Sequence, residues 1–390
     1  MSFNLYVPTK ILFGAGELNN LNIQALPGKK AMIVISNGTS TRKHGYLERT
    51  QEQLHLAGID TVVFDQIEAN PLKSTVMAGS AFAREHHCDF IVALGGGSCM
   101  DASKAIAVMA TNDGDYWDYI PSGSGKGTSL KHKPLPLVAI TTTAGTGSEA
   151  DAGAVITNEE THEKTGFVHE SLFPVLSIVD PDLMKTVPPE YTAYQGFDAL
   201  FHSVEAYVSK YANLMSDMYA LTAIEHIARY LPLAVKNGSD INAREKVAFG
   251  NTLSGMVMCV GSVTSQHSLE HAMSAYHQNL PHGAGLILIS KAYFTHLIEH
   301  HVCDERFIRM AKAMGMDDAK EPKDFIRTLD KLQEDCGVSR LAMPDYGIVP
   351  DEFELFAENA QDTMGSLFLC DRKPLSIDDC IAIYQNSYRK

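Results

Sequence analysis

The sequence predicts an α/β N-terminal domain built on a parallel sheet, followed by an all-α domain. Three observations lead there. Apolar runs of strand length alternate with helix-spaced segments through the first half. After Pro188-Pro189 no convincing strand recurs, and helical spacing continues to the C-terminus. The 390 residues also exceed what one ordinary core accommodates, which points to two domains. The change of texture puts their boundary near residue 185, with expected domains of 1–185 and 186–390.

Taken in order, the strand candidates are Ala31–Ile35, Thr61–Phe64, Phe90–Leu94 and Leu137–Ile140, each followed by turn residues. Helical segments lie between them, at Leu47–Ala57 and Thr75–His86, and Ser98–Ala110 follows the third strand. Near-continuous apolar strands alternating with helices belong to a parallel sheet covered on both faces. Val175–Val179, ending at Asp180-Pro181, is the last strand of this half. Beyond it Ala199–Tyr211, Met215–Tyr230 and Ala243–Val260 carry helical spacing. Pro121–Thr128 is a Gly/Ser loop.

Composition removes several classes of function. Acidic residues outnumber basic ones 47 to 32, a formal net charge of −15, so no basic footprint for nucleic acid is present. No stretch approaches the roughly 18 apolar residues of a membrane helix. The first ten residues lack a basic region followed by an apolar run, so no signal peptide is expected. Seven scattered cysteines without a CxxC pair suit reduced thiols in a cytoplasm.

Four glycine-rich segments compete as phosphate sites. Gly95-Gly96-Gly97-Ser98 follows a strand and opens a helix, where backbone N–H groups can approach a pyrophosphate; such turns also occur for packing alone, but this segment is the favoured phosphate site. Thr141–Glu149 follows the next strand with hydroxyls and flexible backbone, and its Gly145-x-Gly147-x-x-Ala150 fits the dinucleotide fingerprint. Its place at a strand's C-terminal end says more than the fingerprint, because open α/β sheets bind ligands there. Gly14-Ala-Gly16 precedes no core-like strand–helix unit and reads as a plain turn. Gly123-Ser-Gly-Lys126-Gly-Thr128 imitates a nucleoside-kinase loop but lacks its first glycine, an apolar strand before it and a good helix after it.

In the helical half, Asp198 and His202 are four apart and share a helix face. His267, His271, His277 and His282 then fall within sixteen residues. Singly, each histidine is more often a satisfied core or surface residue; jointly, imidazoles beside a carboxylate suit a divalent transition ion such as Fe²⁺ or Zn²⁺. One competing pattern is His267-Ser-Leu-Glu270-His271, the H-x-x-E-H zinc signature of a metallopeptidase class with Glu270 as base. That alternative leaves the α/β half without a purpose.

These residues resemble the iron-containing alcohol dehydrogenases, the group that includes butanol, lactaldehyde and propanediol oxidoreductases. The likeness begins at Pro8-Thr-Lys-Ile-Leu-Phe-Gly-Ala-Gly16. It continues through Gly95-Gly-Gly-Ser-x-x-Asp101-x-x-Lys104, Thr142-Thr-x-x-Thr146-Gly-Ser-Glu149, Gly196-x-Asp198-Ala-x-x-His202-x-x-Glu205 and Pro281-His282-Gly283. It implies a dehydroquinate synthase-like architecture: an α/β dinucleotide-binding domain, then a helical metal-binding domain, with the site in the cleft between them. By resemblance the metal ligands are Asp198, His202, His267 and His282. His271 corresponds to a histidine near the nicotinamide, the candidate catalytic group. Gly96, Gly97 and Ser98 look like pyrophosphate contacts, with Asp101 in the same motif and Thr142, Thr143 and Thr146 in the second loop. Asn70 and Lys164 also stand where cofactor contacts are expected.

The implied activity is hydride transfer between a small alcohol or aldehyde and NAD(P), with a divalent metal, Fe²⁺ before Zn²⁺, acting on the substrate oxygen. Glycerol dehydrogenase-like and dehydroquinate synthase-like chemistry are the near alternatives; an Asp/His/His/His set favours the alcohol dehydrogenases. The partners expected are the small-molecule substrate and further copies of the chain in a homo-oligomer, with neither nucleic acid nor membrane. NADPH-preferring relatives often read Gly-Gly-Gly-Ser followed by basic residues after the first strand. Here the segment is Asn37-Gly38-Thr39-Ser40-Thr-Arg42-Lys43, with no Asp or Glu to meet a ribose hydroxyl. Asn37, Gly38 and Ser40 are the expected contacts, and NADP is favoured over NAD. The spacing from His271 to His282 is about one residue longer than the family's.

Overall fold

The computed structural model describes residues 2–389. They form two compact units, one of Val7–Thr186 and one from Val187 onward that also takes in the residues up to Tyr6.

The first unit carries strands β1 (Lys10–Phe13), β2 (Lys30–Ser36), β3 (Asp60–Ile67), β4 (Phe90–Gly95), β5 (Leu137–Thr141), β6 (Gly153–Asn158), β7 (Glu163–Val168) and β8 (Leu176–Val179). Its helices are α1 (Ser40–Lys43), α2 (Tyr46–Leu56), α3 (Lys73–Glu85) and α4 (Gly97–Thr111). Six strands form a sheet of order β3-β2-β4-β5-β8-β1, with every neighbouring pair parallel. Alternate residues of one strand enter opposite cores. Met32, Val34, Ile91 and Ala93 join one cluster; Ala31, Ile33, Val92 and Leu94 join the other. Burial on both faces is why these strands read as unbroken apolar runs.

Chain order fixes where a ligand belongs. β3 lies on one side of β2, and the chain then crosses to place β4 on the other. The crevice outside the carboxyl ends of β2 and β4 is therefore the topological switch point, where open α/β sheets bind nucleotides. The loop after β2 begins at Asn37, and the turn after β4 is Gly96-Gly97-Ser98.

Three strands went unread in the sequence. β6 and β7 form an antiparallel hairpin whose charged residues disguise it. Glu163 accepts from the Trp117 indole at 2.9 Å, and Lys164 donates to Asn70 at 3.0 Å, so both are buried with partners. β1 is the third, and it corrects the reading of Gly14-Ala-Gly16: a strand does precede that turn, paired with β8. The turn is held by Asp180, whose carboxylate accepts from Gly16 N at 2.9 Å and Leu18 N at 3.1 Å. Gly16 has φ of 85°, a left-handed conformation that glycine adopts without strain.

The second unit holds α5 (Pro189–Val208), α6 (Leu214–Lys236), α7 (Ile241–Met258), α8 (Ser265–Tyr276), α9 (His282–Glu299), α10 (Asp304–Ala313), α11 (Lys323–Asp335), α12 (Phe353–Phe368) and α13 (Ile377–Ser387). Pro189 starts α5 at a position where its missing N–H costs nothing. From Phe197 to Val208 every residue of α5 is buried, so this helix is central to the unit rather than amphipathic. Asn213 caps α6 in a capping box with Ser216, and Asp240 caps α7 through Ala243 N at 3.0 Å. No described helix is long and apolar enough to cross a membrane.

Candidate functional site

At the carboxyl ends of β4 and β5, two loops meet because glycine permits it. A Cβ on Gly96 would stand 2.9 Å from the Thr143 side chain, and one on Gly97 would stand 2.2 Å from Thr146 Cγ2. The turn after β4 and the loop after β5 therefore pack directly, with Thr142 N bonded to Gly95 O at 3.0 Å. Gly97 opens α4, whose first-turn N–H groups face the switch point with no acidic residue in that turn. Ser98 is half-buried in the same turn. Asn70 lies at φ 52°, with its carbonyl on Lys164.

Asp101 is partly buried, and each of its oxygens has a partner within the protein. Its oxygens accept from Ser148 Oγ at 2.7 Å and Val155 N at 3.0 Å. Burial pushes its carboxyl up to about 6, against the pull of Lys104. Asn37, Gly38 and Ser40 are exposed after β2. Near them Arg42 is paired with Asp65 at 2.7 Å, both half-exposed. The kinase-like Gly/Ser loop is already filled by a carboxylate: Glu163 accepts from Ser124 N at 2.6 Å, and Lys126 pairs with Asp118.

In the second unit, α5 carries Asp198 and His202 on one face, α8 carries His267 and His271, and His282 opens α9. The Asp198 Oδ1 atom lies 3.4 Å from His202 Nδ1, 3.7 Å from His267 Nε2 and 3.4 Å from His282 Nε2. Asp198 Oδ1, His202 Nδ1 and His267 Nε2 are buried and make no hydrogen bond. Donors about 2.1 Å from one ion in a tetrahedral array stand roughly 3.4 Å apart. These separations are longer than ordinary hydrogen bonds and match the spacing of donors around one cation. Ligand atoms of Asp198, His267 and His282 all lie within 4.8 Å of one another. His202 is the looser member, beside Asp198 with its ring 4.5 Å from that of His267.

The field agrees with this geometry. Burial opposes charge on Asp198, yet His202 and His282 hold its carboxyl well below the usual range. Burial would lower His267 too, but Glu205 and Asp198 raise it to about 10. His202, buried and facing two other imidazoles, falls to about 4 despite Asp198. The carboxylates thus draw positive charge to His267, while burial and the neighbouring imidazoles disfavour it on His202.

The four expected ligands come together, and the cluster's other histidines separate. His277 takes Glu352 as its partner at 2.9 Å. His271 places Nδ1 2.8 Å from the sulfur of Met364, a residue at a kink in α12 with φ −129° and ψ 36°. His271 also falls in a second potential ligand group with Glu270 and His282. The H-x-x-E-H pattern does not behave as a peptidase site: the His267 and His271 rings are 6.3 Å apart, edge to face, and the fully buried Glu270 is bonded to His282 Nδ1. Sequence reasoning assigned no role to Glu205 or Met364. Glu205 stands three residues after His202, a spacing that could have flagged it; Met364 is distant in sequence and carried no signal.

Known families and proteins match the chain along most of its length. Residues 8–181 match the family model for iron-containing alcohol dehydrogenase, and residues 192–388 match that for the C-terminal part of the Fe-containing alcohol dehydrogenase family. The chain is 36% identical to a 1,3-propanediol dehydrogenase of Citrobacter freundii over 371 residues, 92% of each protein. It is 32% identical to an NAD-dependent methanol dehydrogenase of Bacillus methanolicus over 92% of this chain and 93% of that one. Among solved structures, an archaeal halo-thermophilic alcohol dehydrogenase from a Red Sea brine pool superposes with a TM-score of 0.94 at 32% identity, covering 99% of both chains.

Proposed function

The chain belongs to the iron-containing alcohol dehydrogenases, and from that premise we propose how its two units divide one reaction, hydride transfer between a small alcohol or aldehyde and a nicotinamide cofactor. The first unit binds the dinucleotide, with Gly96, Gly97 and Ser98 on the pyrophosphate and Thr142, Thr143 and Thr146 beside them. Asn70 and Lys164 hold the cofactor from the hairpin side. The second unit holds a divalent metal, Fe²⁺ in the first instance and Zn²⁺ as the substitute, through Asp198, His202, His267 and His282. The observation that carries this is the meeting of three imidazole nitrogens on one buried carboxylate oxygen at 3.4–3.7 Å.

A cation bound there would supply Lewis acidity, lowering the pKa of an alcohol or polarising an aldehyde carbonyl. The protein's own work is positioning and proton handling. Asp198 supplies the one negative charge among the ligands, and the three imidazoles supply neutral nitrogen. His271 takes the alcohol proton at Nε2 and relays it to solvent, its Nδ1 being directed at Met364. The pyrophosphate turn helps to fix the nicotinamide by anchoring the middle of the cofactor.

We also propose NADPH as the preferred partner. The segment Asn37–Lys43, exposed except at Thr41, offers donors and no carboxylate, and Lys43 makes no ion pair among the described residues, whereas Arg42 is partly offset by Asp65. A cytoplasmic homo-oligomer completes the proposal, in keeping with seven free cysteines. The test is an activity panel of aldehydes and diols against NADH and NADPH, with Fe²⁺, Zn²⁺ or Mn²⁺ restored after chelation. Metal-dependent oxidation of NADPH by an aldehyde is expected. No nicotinamide absorbance change under any combination would remove the dehydrogenase reading.

A further inference from the structure

Two carboxylates stand immediately behind the candidate ligands, and both are fully buried. Glu205 Oε1 lies 2.5 Å from His267 Nδ1, and Glu270 Oε2 is hydrogen-bonded to His282 Nδ1. In each ring the opposite nitrogen, Nε2, is the one directed at Asp198. We propose that Glu205 and Glu270 are positioning residues that set the affinity and ligand field of the metal centre, by holding His267 and His282 with the proton on Nδ1 and Nε2 turned to the ion. This rests on the ligand set proposed above.

Each carboxylate is itself locked. The second oxygen of Glu205 accepts from Thr264 N at 2.8 Å and Thr264 Oγ1 at 2.9 Å. Behind Thr264 stands the Tyr293 hydroxyl, 2.9 Å from Thr264 Oγ1 and 2.9 Å from Asp371 Oδ1. The chain from His267 to Asp371 therefore links α5, α8, α9 and the segment before α13. Glu270 is held differently, against bare backbone: a Cβ on Gly285 would stand 2.7 Å from its Cγ and 2.7 Å from its Oε1. Gly285 is the vacancy into which the Glu270 side chain fits.

An acceptor-only group is required at Glu205. Its two oxygens face two sets of donors, the imidazole N–H on one side and the Thr264 amide and hydroxyl on the other. A glutamine would turn an NH₂ toward one of them, and either His267 or the α8 N-terminus would lose its acceptor. An anion on Nδ1 also makes the imidazole a stronger donor to a cation, and loss of such partners typically weakens metal binding about 10- to 100-fold.

The experiment uses the full-length chain stripped by chelation and reloaded with Co²⁺, whose visible absorption reports the ligand field. Affinity is read by chelator competition, and thermal melting of the stripped proteins monitors the fold. Glu205→Gln and Glu270→Gln are each expected to weaken Co²⁺ binding about 10- to 100-fold and to shift its absorption band. Gly285→Ala should reproduce the Glu270→Gln effect, and the two together should cost little more than either, because both act through His282. If Glu205→Gln does not fold, Glu270→Gln and Gly285→Ala still decide the matter. Parental affinity and spectrum in the glutamine and Gly285→Ala variants, beside an Asp198→Ala variant that has lost Co²⁺, would overturn the positioning role and leave the ligands standing. Parental Co²⁺ affinity in Asp198→Ala would instead remove the ligand set and this inference with it.

Discussion

Two histidines one turn apart on α8 illustrate how far a single residue's neighbours decide its role. His267 points Nε2 at Asp198, whereas His271 rests on Met364. His267→Ala should lose metal and activity together. His271→Ala should keep its metal, lose roughly 10- to 1000-fold in kcat and show an altered pH–rate profile; elemental analysis beside kinetics separates the two. Asp371 gives a second prediction. Burial raises its carboxyl to about 7, with Glu205 adding to the rise, while Ser265 and Tyr293 pull against it. Its folded value lies above its unfolded one, so ionisation opposes folding. The stability tied to this group falls as pH climbs from about 4 toward 7. Asp371→Asn should therefore gain on the parent over that range, by on the order of 1–3 kcal/mol at pH 8 relative to pH 4, as urea denaturation at several pH values would show. At the cofactor end, Asp65→Asn releases Arg42 from an exposed pair. The ratio of kcat/KM for NADPH over NADH should rise by about 2- to 5-fold, the size of a surface ion pair; an unchanged ratio would take Arg42 out of the 2′-phosphate reading.

Among the elements, α4 and the two loops at its start make the clearest case. Gly97→Ala would drive a methyl into Thr146, separating the turn after β4 from the loop after β5. The expected outcome is a rise in KM for the cofactor of tenfold or more with metal content unchanged, measured by cofactor titration and elemental analysis. This element was legible in the sequence because a buried parallel strand followed by three glycines and a helix leaves few alternatives. The helical unit was legible for the same kind of reason, through sustained 3.6-residue spacing. The hairpin β6–β7 was hidden because Glu163 and Lys164 look like surface residues until Trp117 and Asn70 are seen beside them. The proposed metal ligands could be gathered as candidates from spacing, but preferring His267 and His282 over His277 needed the resemblance. The fold adds that His277 is partnered by Glu352. Asp101 is a motif residue whose bonds to Ser148 and Val155 only the fold shows.

At the scale of the molecule, a cation on Asp198 would tie α5, α8 and α9 together, so metal should count toward stability as well as catalysis. A metal present at a thousand times its Kd would add about 4 kcal/mol, and calorimetry before and after chelation should show a lower Tm for the stripped protein. The sheet of the first unit raises a separate matter of timing. Its first strand, β1, has β8 as its sheet neighbour, and the turn after β1 is bonded to Asp180, 164 residues further along the chain. On a ribosome, β2, β3, β4 and β5 can assemble as they emerge. The β8-facing edge of β5 stays bare, and Lys10–Phe13 waits without a partner, until residue 179 has cleared the exit tunnel. An open parallel edge with apolar faces invites pairing with other nascent chains, so synthesis of this protein carries a window of aggregation risk that closes only when its last strand slides between β5 and its first.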